Sequence, residues 1–123
     1  MKKELVTQYI QAYNNFDVEG MLANLHDEIV FKNVSSGEVN LQLLGLSAFK
    51  AQAEQAKSFF SQREQKITSL EESADKVEVN IAYSGVLAVD LPDGPQAGER
   101  LEMEGKSIFG FRDGKIISIE DIS

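Results

Sequence analysis

A chain of 123 residues with ordinary apolar content reads as one folded domain over 1–123, large enough to bury roughly two thirds of its unfolded surface. Its net charge of −8 excludes a phosphate-binding nucleic-acid surface, and no apolar run approaches the ~20 residues of a bilayer helix, so neither nucleic acid nor membrane is an expected partner. No cysteine and a single histidine exclude disulfides, thiol catalysis and a zinc or iron centre, and no metal or cofactor is expected.

Leu5, Val6, Tyr9, Ile10 and Tyr13 recur at the spacing that stacks them on one face of a first helix. This amphipathic N-terminus lacks the continuous apolar stretch of an export signal, so the expected compartment is the cytoplasm. Asn14 and Asn15 continue a helix poorly, and Asp17 suits the N-cap of a short second helix with Met21, Leu22 and Leu25 on its apolar face. Ile29-Val30-Phe31 predicts a strand ending at Asn33, broken by Ser35-Ser36-Gly37. A third helix is expected after Ser47, burying Phe49, Ala53, Ala56 and Phe60. The first half thus reads as three helices around one strand.

In the second half the period changes from about four to two. Lys66 to Glu72 predicts a strand and Ser73-Ala74-Asp75 a turn. Val77 to Tyr83 alternates as a half-buried antiparallel strand does, with Gly85 at a bulge. Leu91-Pro92-Asp93-Gly94-Pro95 is a loop. Leu101, Met103, Gly105, Ser107, Phe109 and Phe111 share one strand face, with Glu102, Glu104, Lys106 and Arg112 on the other. Asp113-Gly114 is a hairpin signal, leading into a closing strand from Lys115 to Ile122. The expected class is α+β, an antiparallel sheet wrapped around segregated helices.

Two segments carry a family resemblance: Tyr13-Asn14-Asn15-Phe16-Asp17-Val18-Glu19-Gly20, and Phe109-Gly110-Phe111-Arg112-Asp113-Gly114-Lys115-Ile116. In this order of elements the chain resembles the nuclear-transport-factor-2-like superfamily, which includes ketosteroid isomerases and SnoaL-like polyketide cyclases. The resemblance implies a cystatin-like, cone-shaped fold with a strongly curved sheet, a mostly apolar cavity at the open end, and a homodimer formed through the outer sheet face. In such a dimer Glu102, Glu104, Lys106 and Ile108 would meet the partner. Against the isomerases, Tyr9 matches the tyrosine that hydrogen-bonds the forming enolate oxygen, and Ser107 stands where a protonated aspartic acid is the second donor. The general base of that family lies sixteen residues beyond the turn aspartate. Counted from Asp17, that position is Asn33, and an amide cannot accept the proton.

The resemblance therefore implies a retained cavity without the inherited proton shuttle. The expected function is binding of a small apolar molecule bearing a carbonyl or hydroxyl, uncharged or cationic given the acidic chain. Its expected lining is Tyr9, Tyr13, Asn33, Tyr83, Met103, Ser107 and Phe109. Each has a plainer role: Tyr9 as a core tyrosine, Asn33 as a turn cap, and the sheet residues as cavity filler. An enzyme working with Tyr9 as oxyanion donor and another base is the alternative, and a dimerising interaction domain without catalysis the second. Candidate acid–base groups are His26, which also suits a helix C-terminus, and Asp121, with spacing leaving open whether Glu120 or Asp121 faces inward.

Overall fold

Apolar residues spaced three and four apart bury Val6, Tyr9, Ile10 and Ala12 along helix α1, Lys2–Asn14, in a computed structural model describing residues 2–91 and 94–123. The chain then turns through Phe16, whose φ of 58° is left-handed. Asp17 caps α2, Val18–Leu22, its Oδ1 accepting from the Gly20 amide at 3.0 Å. Strand β1, Leu25–Ser35, follows, then β2, Glu38–Leu44, helix α3, Leu46–Lys57, and strands β3, Phe60–Glu72, β4, Lys76–Leu87, β5, Arg100–Arg112, and β6, Lys115–Ile122. The expected loop after β4 carries neither helix nor strand in its described residues, while Pro92 and Asp93 lie outside them.

Several boundaries differ from the sequence expectation. Leu25 opens β1 and does not close α2, and Phe60 opens β3 and does not end α3. The break at Ser35-Ser36-Gly37 is a hairpin. Ser36 and Gly37 take φ of 54° and 80°, the paired positive values of a tight turn whose twist matches its strands. It leads into β2, where Val39, Leu41 and Leu43 alternate with polar residues. Asp113 and Gly114 repeat the device between β5 and β6, with φ of 53° and 75°.

The sheet has the order β2-β1-β6-β5-β4-β3. Each neighbouring pair is antiparallel except β1 and β6, which run parallel, so the sheet is mixed and not wholly antiparallel. No bulge falls at Gly85, where pairing continues to Arg63 on one side and Leu101 on the other. A side chain there would place its Cβ 3.0 Å from the Phe60 ring, so the glycine answers a close approach. The register shifts fall elsewhere, among them between Asn33 and Val34 and between Gly110 and Phe111.

The helices cover one face of the sheet, and one core joins the buried side of α1 to Ile29, Phe49, Val77, Val79, Phe109, Ile116 and Ile119. Asn14, at the end of α1, straps that helix to β3. Its Nδ2 donates to the Gln65 carbonyl at 3.1 Å, and its Oδ1 accepts from the Gln65 amide at 2.7 Å. This fixes where the last turn of α1 meets the sheet, and with it the tyrosines of the site.

Candidate functional site

Neighbouring strands hold their paired residues on a common face, so a row of partners reads across the inner surface as Leu41, Asn33, Asp121, Ser107 and Val79. The middle of that row is polar. Asn33 and Ser107 flank Asp121 from the two adjacent strands, and Ser107 Oγ donates to Asp121 Oδ1 at 2.6 Å. Asp121 thus faces the helices, whereas Glu120, paired with Lys32 and Ile108, belongs to the opposite face. The carboxylate absent at position 33 stands one strand away.

Two adjoining cavities open at this row and share Tyr13, Asn33, Gln65 and Asp121 as a common wall. One, of about 200 Å³, lies under the helices; Tyr9, Phe31, Leu41, Leu43, Phe49 and Arg63 supply most of its remaining lining. The other, of about 190 Å³, opens toward the sheet rim past Ile81, Tyr83, Met103 and Ser107. Each is below the ~300–1,000 Å³ usual for ligand pockets, and the pair together reaches that range.

Burial pushes the Asp121 carboxyl up to about 6, against which the Ser107 hydrogen bond works only in part. The group therefore exchanges its proton near neutral pH. Tyr9 is 5 % exposed, with its ring edge-on to Phe109 at 5.8 Å. Burial, and then the Asp121 charge, raise its hydroxyl well above the ordinary tyrosine range, so it stays a neutral donor. Among the described residues no hydrogen bond engages Tyr9 Oη, and no sealed side-chain oxygen or nitrogen lacks a partner. The hydroxyl accordingly looks into the cavity. Tyr13 Oη donates to Tyr83 Oη at 3.2 Å, and burial raises both phenols.

The expected lining residues therefore divide. Tyr9, Tyr13, Asn33, Tyr83, Met103 and Ser107 line one cavity or both, with Met103 half-exposed at the rim. Phe109 lines neither: two residues along β5 from Ser107 it shares the inner face, but at 1 % exposure it is packed core against Tyr9. Asn33 does not cap the turn, for its Nδ2 donates across the hairpin to Asn40 Oδ1 at 2.8 Å. His26 lies on β1 and not at a helix end. Its Nδ1 accepts from the Glu28 amide at 3.0 Å and its Nε2 stands 3.5 Å from Asp113, at the turn between β5 and β6 and away from both cavities. Glu102 and Glu104 are exposed, and Lys106 pairs with Glu78 at 2.7 Å. Among the described residues no three acidic or histidine side chains converge as metal ligands would. No helix among them is long and apolar enough to cross a membrane.

Arg63 and Gln65 lay outside the sequence expectation. Arg63 is 6 % exposed on the inner face of β3, in a polar stretch that reads as surface. The signal that places it is the alternation of Arg63, Gln65 and Ile67, all turned inward where their neighbours are exposed.

Residues 6–119 match the SnoaL-like domain family. The chain belongs to that family. Solved SnoaL-like and cystatin-fold structures superpose over almost its whole length. A candidate polyketide cyclase from Xanthomonas campestris pv. campestris is 21% identical, with a TM-score of 0.83 over 99% of this chain and 89% of that one. A cystatin-fold protein from Novosphingobium aromaticivorans is 16% identical, with a TM-score of 0.77 over 98% and 96% of the two chains. TerC, crystallised with polyporic acid, is 18% identical, with a TM-score of 0.78 over 98% of this chain and 89% of its own. At such identities the likeness is one of fold. Among curated proteins none matches this SnoaL-like chain in sequence.

Proposed function

We propose that this SnoaL-like protein binds a small, largely apolar molecule carrying a carbonyl group and moves a proton on it, with Asp121 as the acid–base group. The observation that carries this reading is Asp121 itself: an inward carboxyl on the wall between two cavities, raised to about 6 and steadied by Ser107. A carboxyl of that strength is half ionised at about pH 6 and mostly a free base at neutrality, within the range where general acid–base catalysis is effective. Tyr9 is the oxyanion donor, since a neutral phenol in a dry site stabilises charge that develops on an enolate oxygen. Asn33, beside Asp121, supplies hydrogen bonds and takes no proton. The likeness in fold to candidate polyketide cyclases is compatible with carbonyl chemistry of this kind.

The test is exchange of the α-hydrogens of 2-tetralone in D₂O, followed by proton NMR. Wild-type protein should accelerate exchange, and Asp121→Asn should lower the catalysed rate by roughly 10²–10⁴-fold. No acceleration by wild type, or an equal rate in the variant, overturns the reading.

A further inference from the structure

Arg63 is an almost fully buried cation. Among the described residues it makes no ion pair, although the chain carries 20 acidic residues. Its Nε donates to the Tyr13 carbonyl at 3.0 Å, a second bond to an oxygen at the end of α1 that also accepts from the Phe16 amide at 3.1 Å. Its guanidinium carbon lies 3.7 Å from the Tyr13 ring centroid and 4.6 Å from that of Phe16. Phe16 has a left-handed backbone, so a costly conformation carries one of the two rings that hold the cation.

These contacts fix the guanidinium plane and use one of its five N–H donors. Among the described residues its two terminal amino groups make no hydrogen bond, yet no sealed side-chain nitrogen lacks a partner. Those groups therefore meet open space, and Arg63 lines the cavity under the helices together with Tyr9, Phe31 and Phe49. A planar, pre-aligned pair of donors at the end of an apolar pocket matches an oxyanion, above all a carboxylate.

We propose that Arg63 is an anion-recognition residue, and that the ligand of this cavity is an apolar ring or chain bearing a carboxylate or an ionised enol. The proposal rests on the proposed pocket and deepens it by naming the ligand's charge. Although the overall charge of −8 favours uncharged or cationic ligands at long range, screening confines that preference to roughly 10 Å, and within the pocket the nearest unpaired charge decides. Asp121 lines the same cavity without pairing to Arg63, so an anion held at one position leaves the carboxyl free to act at another.

The experiment compares two probes of one shape, 2-naphthoate and 2-naphthamide, by calorimetry on the intact protein. Wild type should bind the carboxylate at least about tenfold more tightly, the expected size for hydrogen bonds to a charged group. Arg63→Met, which keeps an apolar stem, should abolish that preference while still binding the amide, and Arg63→Lys should restore part of it. Equal affinities in wild type overturn the anion role and leave the pocket standing. Binding of neither probe overturns the pocket reading as well. If Arg63→Met fails to fold, Arg63→Lys decides the assignment: a weakened preference supports it, and an undiminished one overturns it. A folded Arg63→Met that keeps the preference overturns the assignment to Arg63.

Discussion

Replacing Asp121 by asparagine keeps the shape of the side chain and an oxygen that accepts from Ser107, and removes the titration. In the folded protein the carboxyl ionises at about 6, against 3.8 for an unburied aspartate. Between those values the folded state binds more protons than the unfolded one, so this group's contribution to stability falls as pH rises through the window. Below it Asp121 is protonated in both states and costs nothing. Above it the folded state carries a buried charge, at a cost of about 3 kcal/mol for a shift of roughly two units at 1.36 kcal/mol each. Urea unfolding of wild type and Asp121→Asn between about pH 4 and about pH 8 isolates the effect, because every other carboxylate is common to both proteins and cancels in the difference. The variant should gain on wild type by up to about 3 kcal/mol as pH rises, most of it by about pH 6. A difference that stays flat across the range would refute the claim that burial holds this carboxyl up, and with it the acid–base assignment.

Tyr9→Phe should cost less than about 1 kcal/mol of stability, because no protein hydrogen bond is lost, yet slow 2-tetralone exchange by roughly 10²–10³-fold; chemical denaturation and the NMR assay read the two effects separately. Gly105→Ala would set a Cβ 2.9 Å from the Ile122 carbonyl oxygen, a backbone atom with little freedom to move. It should destabilise the protein by roughly 1–3 kcal/mol in urea unfolding, and a neutral result would mean that β5 and β6 can separate at the cavity rim.

How much was legible in the chain depends on how local each signal is. The face of α1, the Asp17 cap and the Asp113-Gly114 turn are written within a few residues, since periodicity and turn chemistry need no distant partner. Strand β2 was equally legible, for Val39, Leu41 and Leu43 alternate after a Ser-Gly turn that closes a hairpin with β1. The resemblance placed Tyr9, Asn33 and Ser107 near one another, and the sheet sets Asn33 and Ser107 on either side of Asp121. No count along the chain yields that carboxylate's position, because it depends on β1 pairing parallel with a strand more than eighty residues later.

The sequence by itself determined the element types, the SnoaL-like α+β class and the tyrosine-bearing helix, all of which follow from short-range sterics and apolar periodicity. Only the tertiary structure decided that Asp121 faces inward beside Asn33, that Phe109 is core, and that Arg63 is buried with no carboxylate paired to it among the described residues. Which face a strand residue occupies is settled by register, and what charge a site presents is settled by who is absent from it; both are properties of distant segments meeting in space.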